Sequence, residues 1–258
     1  MNIRELFDIK GKNAVVTGGS VGLGAQMAQA LAEAGANVVV AARKIERCIT
    51  ICAELEKLGV RAIPVACDAS KIEDCQNLID TAVRELGSID ILINNAGISW
   101  VADSLNFPMD KFLKVFNLNL FGAFQLSALA AKTMIPNGGG KIINIASIGG
   151  LGGDVQENVD SVPYVTSKAA MIAMTKDLAV KWARYGINVN AICPGWFPTS
   201  LNDELLEGRK DELLSRIPLG RYGTEDDLKG LVVYLASAAS KYVTGQYIVV
   251  DGGQTARV

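Results

Sequence analysis

Histidine is missing from all 258 residues of the chain. Its absence excludes a Ser-His-Asp triad, a Cys-His dyad and any metal site that uses imidazole ligands. Histidine is also the side chain whose ordinary pKa lies closest to neutral pH. If the protein carries out acid–base catalysis, another side chain with a suitable pKa must therefore move the proton.

Other absences narrow the class of protein further. The five cysteines include no Cys-x-x-Cys pair, which indicates buried or inert thiols in a reducing compartment and predicts neither a metal site nor a disulfide. The net charge is −2 and no basic stripe is present, so no nucleic-acid partner is expected. The N-terminus is polar and acidic, unlike a signal peptide, and the apolar runs are too short to span a bilayer. We therefore expect a cytoplasmic protein with no membrane partner.

The chain does contain a regular alternation of short apolar runs and amphipathic segments. Predicted strands cover residues 13–17, 38–40, 61–66, 89–93, 141–146, 187–192 and 247–250. Predicted helices cover residues 22–34, 109–134 and the region of 164–168, with charged helices ending near residues 58 and 87 and a late helix capped by residues 224–227. A Ser-x-x-Glu capping box at residues 70–73 is predicted to open the helix that ends near residue 87.

The predicted strands are continuous apolar runs without polar alternation, which is typical of a sheet buried on both faces. Repeated βα units with such strands predict an α/β fold, a doubly wound parallel sheet of the Rossmann type with helices on both faces. No linker, low-complexity tract or internal repeat interrupts the pattern. We therefore expect residues 1–258 to form a single domain.

A glycine-rich loop, Thr17-Gly-Gly-Ser-Val-Gly-Leu-Gly24, lies between the first predicted strand and the helix that follows it. Glycines there let the backbone approach a pyrophosphate at a helix N-terminus, where free N–H groups favour an anion. The spacing is GxxxGxG, and the loop lacks the Lys-Ser/Thr ending of an ATP- or GTP-binding loop. The loop predicts a dinucleotide site, and a tight turn without a ligand is the alternative.

Tyr164 and Lys168 are four residues apart, which places both side chains on one face of a helix. An ammonium beside a phenol favours the phenolate and lowers a tyrosine pKa that is ordinarily about 10. A tyrosine tuned in this way can give or accept a proton near neutral pH. The alternative is an amphipathic helix with an exposed lysine.

These motifs, in their order along the chain, resemble those of the short-chain dehydrogenase/reductase (SDR) family. The glycine-rich loop is followed by Asn94-Asn-Ala-Gly97, Ser147, the Tyr164/Lys168 pair and Pro194-Gly195. The resemblance covers nearly the whole chain. Trp100 and the 194–199 stretch are most similar to the 3-oxoacyl-reductase, rhamnolipid-type reductase and gluconate 5-dehydrogenase-like branches.

The resemblance implies a role for each catalytic residue. Tyr164 would exchange a proton with the substrate oxygen, and Lys168 would lower the tyrosine pKa and bind the nicotinamide ribose. Ser147 would hydrogen-bond the substrate oxygen, and Asn119 would hold a water linked to the lysine. Asn117 is the alternative for this last role, and an Asn119 satisfied by the backbone alone is a second alternative.

The resemblance also implies the cofactor site. The hydride chemistry belongs to the nicotinamide, while the protein supplies geometry and the proton. Thr199 would lie near the carboxamide, Asp68 would contact the adenine, and Asn95 and Gly97 would flank the adenosine ribose. The expected cofactor-binding residues are Gly18, Ser20, Gly22, Leu23, Gly24, Arg43, Asp68, Ala69, Asn95, Gly97, Tyr164, Lys168, Phe197 and Thr199.

Cofactor preference depends on the residues after the second strand, where an acid binds the 2′-hydroxyl of NAD and an arginine accommodates the 2′-phosphate of NADP. The segment is Ala41-Ala-Arg-Lys44, without an acid, which favours NADP(H) over NAD(H). Against this, Val21 holds a loop position where many NADP-preferring relatives carry a basic residue. A plain surface role for Arg43 and Lys44 is the alternative.

Two segments border the expected substrate pocket. The stretch from Ser147 to Tyr164 is longer than is common in the family, with its extra length at residues 152–160, and it either shapes specificity or bulges into solvent. Residues 196–222 resemble the mobile substrate lid of the family, with a surface helix as the alternative.

The resemblance implies an NAD(P)-dependent oxidoreductase that interconverts a small-molecule ketone and a secondary alcohol. A NADPH-dependent 3-oxoacyl-type carbonyl reductase is the first hypothesis. An NAD-linked polyol, sugar-acid or hydroxyacyl dehydrogenase is the second, and a non-catalytic dinucleotide-binding sensor is the third. Family members are usually tetramers or dimers, so we expect a homotetramer built on the helices at 109–134 and 164–185 and on the last strand.

Overall fold

Seven parallel strands form one sheet at the centre of the molecule, in a computed structural model that describes residues 1–153, 160–199, 206 and 208–257. The strands are β1 (Asn13–Thr17), β2 (Asn37–Ala42), β3 (Ala62–Ala66), β4 (Ile91–Asn94), β5 (Gly140–Ile145), β6 (Ile187–Pro194) and β7 (Tyr247–Val250). Their order across the sheet is β3-β2-β1-β4-β5-β6-β7. The order reverses between β1 and β4, so the carboxyl ends of these strands border the crevice where doubly wound sheets bind ligands.

Helices cover both faces of the sheet, as the sequence predicts for a Rossmann-type fold. They are α1 (Ile3–Phe7), α2 (Gly22–Glu33), α3 (Ile45–Glu56), α4 (Ile72–Leu86), α5 (Met109–Phe116), α6 (Ala123–Met134), α7 (Val162–Trp182), α8 (Lys210–Ser215) and α9 (Lys229–Ala236). Helices α2, α3 and α9 share one core with the sheet, and α4, α6 and α7 share the other.

The two cores explain why the strands are apolar at every position. In β1, Val16 packs in the core of α2 and α9, while its neighbour Val15 packs in the core of α4 and α6. Successive side chains of a strand point to opposite faces, so a sheet covered on both sides needs apolar residues throughout. The five cysteines are buried and free, as predicted.

The predicted long helix at 109–134 is present, but it contains a π-helical turn. Residues Asn117–Gly122 form this turn between α5 and α6, so the helix changes its winding without breaking. An 18-residue window of the helix at residues 109–137 has a mean hydropathy of 1.2, which by length and composition would suffice to cross a membrane. The prediction that every apolar run is too short for this is therefore wrong, although Leu126 and Met134 of the same helix pack in the core.

The predicted capping box at residues 70–73 is wrong. Helix α4 starts at Ile72 after Lys71, whose side chain does not cap it. The Ser70 hydroxyl instead donates to Asp68 Oδ1 at 2.7 Å, and the Asp68 N–H donates to Asp74 Oδ2 at 2.8 Å. The Ser70 N–H, which the capping box would give to the Glu73 side chain, donates to Asp68 Oδ1 at 3.1 Å. The carboxylates of Asp68 and Asp74 thus hold the loop that carries Asp68.

Candidate active site

A cavity of about 750 Å³ opens at the carboxyl ends of β1, β2, β4, β5 and β6. Ser147 lies in its wall, and Asn119 lies behind the wall. The wall includes every residue that was predicted to bind the cofactor: Gly18, Ser20, Gly22, Leu23, Gly24, Arg43, Asp68, Ala69, Asn95, Gly97, Tyr164, Lys168, Phe197 and Thr199. The fold therefore brings together residues that are spread over most of the chain.

The glycine-rich loop forms a cradle that side chains would fill. Gly18 and Gly22 have φ angles of +62° and +54°, which favour glycine. A Cβ on Gly24 would lie 2.1 Å from Gly18 O, so this glycine permits the close passage of loop and helix. Val21, the residue before α2, makes no side-chain cap, which leaves the helix N-terminus suited to an anion. These residues fit the pyrophosphate of a dinucleotide.

Three basic side chains line the end of the cavity next to β2. Arg43 and Lys44 line it, and so does Arg47, a residue that the sequence prediction missed. Burial opposes ionisation of Asp68, but hydrogen bonds from Ser70 and the charge of Arg43 hold the pKa of its carboxyl below the usual value. The charge of Arg43 therefore acts on Asp68 in the cavity wall, while its role towards a cofactor remains a prediction. Arg47 lies in the first turn of α3, shortly after Arg43 and Lys44, and this proximity in the sequence could have indicated it.

The segment after β4 forms part of the cavity wall and holds the neighbouring loop in place. The Asn95 amide donates to Thr17 O at 3.0 Å and to Gly18 O at 3.1 Å, so its side chain holds the glycine-rich loop in place. A Cβ on Gly97 would lie 3.6 Å from Lys168 Nζ. Glycine at position 97 thus lets the backbone pass close to the lysine.

Lys168 is buried, with 4% of its surface exposed. Its Nζ donates to Ile145 O at 2.6 Å, and burial lowers its pKa to about 8. A lysine is rarely buried unless it has a partner, which here is the Ile145 carbonyl. The alternative of an amphipathic helix with an exposed lysine is therefore wrong.

Tyr164 is half-buried one turn before the lysine. Burial raises the pKa of its phenol, and a hydrogen bond with the Ser147 hydroxyl opposes that rise. The expected lowering of the tyrosine pKa is therefore wrong for this structure. The reason is geometric, since Lys168 Nζ lies 5.6 Å from the centre of the tyrosine ring and engages Ile145 O. A protonated phenol beside a serine hydroxyl is suited to donate to a carbonyl oxygen.

Ser147, at the start of a short turn, lies beside Tyr164 and Lys168 in the cavity wall. The serine follows β5, and its Oγ accepts the Gly149 N–H at 3.1 Å at the start of a short 3₁₀ turn. A Cβ on Gly150 would lie 2.7 Å from the Lys168 carbonyl carbon, so the turn packs tightly against α7. This packing places Ser147 next to Tyr164.

Asn119 lies in the π-helical turn and is fully buried, whereas Asn117 is exposed. Its Oδ1 accepts the Ile98 N–H at 2.9 Å, and its Nδ2 donates to Ile98 O at 2.9 Å and to Ser167 Oγ at 3.1 Å. The amide therefore joins the segment after β4 to helix α7. Among the described residues its partners are these backbone and serine groups, so its expected link to Lys168 through water remains a prediction.

The described part of the predicted lid closes over one side of the cavity. A Cβ on Gly22 would lie 3.1 Å from Thr199 Cγ2, so Thr199 rests against the glycine-rich loop. Gly223 N donates to Trp196 O at 2.9 Å, which joins the two ends of the segment. Residues 200–205 and 207 of the predicted lid lie outside the described residues.

The long segment between Ser147 and Tyr164 is tied to the substrate side. Asp160 O accepts the Ala102 N–H at 3.1 Å, and Ser161 Oγ donates to Trp100 O at 2.8 Å. The end of the segment therefore packs on the strand-following segment that carries Trp100. Residues 154–159 of this segment lie outside the described residues.

Comparison with known proteins identifies the family. A family model described as enoyl-(acyl carrier protein) reductase matches residues 18–255, and a crystal structure of a short-chain type dehydrogenase/reductase from Mycobacterium marinum superimposes with a TM-score of 0.95. That structure is 40% identical and covers 99% of this chain and 100% of its own. The chain belongs to the SDR family. It is an NAD(P)-dependent oxidoreductase that acts on CH–OH and C=O groups.

Two further relatives match this SDR over its whole length. The 2-dehydro-3-deoxy-D-gluconate 5-dehydrogenase of Escherichia coli (strain K12) is 44% identical over 99% of this chain and 100% of its own length. A gluconate 5-dehydrogenase from Burkholderia cenocepacia J2315, crystallised with NADP and tartrate, has a TM-score of 0.94 at 37% identity and covers 100% of both chains. When bound, a nicotinamide dinucleotide supplies or accepts the hydride in such enzymes.

Proposed function

We propose that this SDR interconverts a secondary alcohol and a ketone in a sugar acid, with Tyr164 as the proton donor and acceptor. The observation that carries the proposal is the 44% identity, over full length, with an enzyme named for 2-dehydro-3-deoxy-D-gluconate. A 3-oxoacyl-type carbonyl reductase, the first hypothesis from the sequence, is compatible with the family and is the second candidate.

The described substrate side supports a polar substrate over an acyl chain. Ser99 Oγ and Ser161 Oγ lie 2.8 Å apart beside the segment that leads into α7. Trp196 lines a separate small cavity with Ile217 and Leu219, and Trp100 has Lys111 Nζ 5.0 Å from its ring centre. Of Trp100, Trp196 and Phe197, only Phe197 lines the large cavity.

We also propose a preference for NADP(H). The strand end at β2 offers no carboxylate for a 2′-hydroxyl, and three cations, Arg43, Lys44 and Arg47, line the cavity there. Guanidinium groups bind phosphate oxygens well because their donors match the phosphate geometry. The alternative of an NAD-linked enzyme predicts equal or better turnover with NADH.

The experiment is a nicotinamide-absorbance screen with both cofactors over sugar acids, 3-oxoacyl thioesters, cyclic ketones and steroids. We expect the highest kcat/KM with a sugar acid or its keto form. Tyr164→Phe serves as the control for contaminating activity. A higher kcat/KM with 3-oxoacyl thioesters would select the second candidate, and tight NADPH binding without turnover on any substrate would favour the non-catalytic sensor.

For assembly, we propose a cytoplasmic homotetramer without membrane association. Helices α5–α6 expose large apolar side chains, namely Met109, Leu113, Phe121 and Phe124. Helix α7 exposes Ala169, Ala173 and Val180 on one stripe, which lets a second copy approach closely. Ala130 and Ala131 of α6 are buried within the subunit and take no part in such a surface. Lys114 is exposed on α5, beside the apolar side chains named above, and its charge favours a protein partner over lipid.

A further inference from the structure

Four buried polar side chains form a hydrogen-bonded cluster between the sheet and helices α6 and α7: Asn94, Ser127, Asn144 and Thr175. Asn94 Nδ2 donates to Ser127 Oγ and to Asn144 Oδ1, each at 2.8 Å. Asn144 Nδ2 donates to Thr175 Oγ1 at 2.9 Å. The four residues come from β4, α6, β5 and α7, so the cluster joins two strands to two helices close to the active site.

The direction of each bond in the cluster is fixed. Thr175 Oγ1 donates its proton to Met171 O at 2.8 Å, so towards Asn144 it acts as an acceptor. Ser127 Oγ likewise donates to Ala123 O at 2.7 Å and accepts from Asn94. Both amides must therefore turn their Nδ2 groups towards the hydroxyls.

This arrangement has a cost in stability. Asn94 Oδ1 is buried and has no hydrogen-bond partner among the described residues. An unpaired buried acceptor loses its hydration without compensation. An apolar filling of the same space would avoid that loss, so packing alone does not explain why the cluster is there.

The cluster shares a helix and a strand with the catalytic residues. Helix α7 carries Tyr164, Lys168 and Thr175, and β5 carries Asn144 next to Ile145. The bond from Lys168 Nζ to Ile145 O and the bond from Asn144 Nδ2 to Thr175 Oγ1 therefore join the same helix to the same strand, two helical turns apart.

The remaining contact between α7 and the sheet at this level is apolar. Met171, Ile172 and Cys193 pack there with Ala146 and Ala191. Apolar packing is non-directional, so by itself it defines the axial position of a helix less sharply than hydrogen bonds do. A second directional bond below Lys168 sets where the helix stands along the strand.

We propose that Asn144 and Thr175 are positioning residues of this enzyme. Their hydrogen bond fixes α7 on β5, so that Lys168 Nζ meets Ile145 O and Tyr164 meets Ser147. Neither residue is part of the cavity wall. The inference rests on the SDR reaction and is independent of which substrate class the enzyme takes.

The first test is Thr175→Val, which removes the hydroxyl and keeps the side-chain shape. We expect kcat to fall about tenfold, because small displacements of catalytic groups are costly, while KM for NADPH changes less than about twofold. If Lys168 is displaced, its ammonium loses the hydrogen bond to its carbonyl acceptor, so its pKa should fall below about 8. The decline of kcat at alkaline pH, which we call the alkaline limb of the pH profile, should then move to lower pH. Thr175→Ser, which restores the hydroxyl, should recover both quantities.

Thr133→Val is the matched control, since the Thr133 hydroxyl donates to Ala130 O within its own helix and takes no part in the cluster. It should leave kcat and the alkaline limb unchanged. Asn144→Ala tests the other partner and should reproduce the Thr175→Val effects. If Thr175→Val lowers the melting temperature but leaves kcat and the limb at their wild-type values, the cluster is purely structural and the proposal is overturned.

A measurement without substrate separates this inference from the proposed function. Competitive acetic anhydride labelling of Lys168 across pH, read by peptide mass spectrometry, reports the lysine pKa directly. We expect that pKa to fall in Thr175→Val and to stay unchanged in Thr133→Val. A substrate screen without any turnover would defeat the proposed function, whereas an unchanged Lys168 pKa in Thr175→Val would defeat the positioning role.

Discussion

Lys168 opposes the stability of the fold that holds it. Burial lowers its pKa to about 8 from an ordinary value near 10.5. Between these two values the unfolded chain binds more protons than the folded one, so the free energy of unfolding rises with pH across that window. Below it both states are protonated, and the buried ammonium reduces the free energy of unfolding by its full amount.

Lys168→Met should therefore stabilise the protein while abolishing turnover. Near pH 7 we expect the free energy of unfolding to rise by about 1–3 kcal/mol, because the desolvated charge is removed. Near pH 10 the advantage should shrink, since the wild-type lysine is then already neutral in the folded state. Denaturant titrations at both pH values measure this. Lys181→Met, at an exposed site paired with Asp177, is the control, and an equal gain there would contradict the explanation.

Tyr164→Phe should fold and bind NADPH normally and lose turnover by about 10²–10⁴-fold, the usual contribution of acid–base assistance. Without histidine in the chain, no imidazole can replace the phenol. Steady-state kcat and cofactor titration by fluorescence measure the two effects. Tyr242→Phe, at a fully exposed site, is the control. Retention of more than about a tenth of wild-type kcat would remove tyrosine from the mechanism.

Arg43→Ala should weaken NADPH binding by about ten- to a hundredfold, since hydrogen bonds between charged groups contribute about 1.5–3 kcal/mol. NADH lacks the phosphate, so its affinity should change little. Arg84→Ala, on the surface of α4, is the matched control. Values of kcat/KM for both cofactors decide the matter: a wild-type preference for NADH, or an equal loss with both, overturns the assignment.

At the scale of elements, the π-helical turn packs closely against the loop after β3 at Gly122. A Cβ on Gly122 would lie 2.1 Å from Ala69 O, so no side chain fits there. Helix propensity alone would favour Gly122→Ala by up to about 1 kcal/mol, but the backbone clash should outweigh it. We expect a lower melting temperature and a reduced kcat, because Asn119 lies in the same turn.

Gly230→Ala is the matched control for that prediction. Gly230 lies in α9, and nothing lies within 4 Å of the position of its Cβ. The substitution should raise the free energy of unfolding by up to about 1 kcal/mol without affecting kcat. Thermal unfolding and steady-state kinetics of the two variants measure the contrast. Equal stability changes in both would show that the contact with Ala69 is unimportant.

The sequence predicted the strands and the order of the motifs because apolar runs and glycines act locally. It did not predict the π-helical turn, since the hydrophobic pattern of residues 109–134 continues through it. It also gave the wrong direction for the Tyr164 pKa. The four-residue spacing reveals that Lys168 is near, but neither the depth of burial nor the choice of Ile145 O as partner can be read from spacing. The capping box failed because Asp68 accepts the Ser70 N–H that the box would use.

At the scale of the whole molecule, the exposed apolar face of α5–α6 predicts assembly. Light scattering should give a mass near four times the 27.4 kDa subunit at micromolar concentration. Phe121→Asp should dissociate the assembly, because a charge at a buried interface is unfavourable. Ile49→Asp, at an exposed position on α3, should leave the mass unchanged. A wild-type mass near that of one subunit would refute the tetramer.

The meeting of Trp196 and Gly223 has an evolutionary consequence. The two ends of the segment between them are joined by a 2.9 Å hydrogen bond, and Gly195 N is bonded to Val250 O of the neighbouring strand, also at 2.9 Å. The backbone of the segment thus begins and ends at one place in the framework, while Phe197 and Thr199 line the large cavity and Leu219 N donates to Gly252 O at 3.1 Å. Insertions, deletions and replacements between Thr199 and Ile217 therefore need not disturb the sheet or the tyrosine helix. Substrate range can diversify through changes in this part of the segment while the catalytic framework is inherited unchanged.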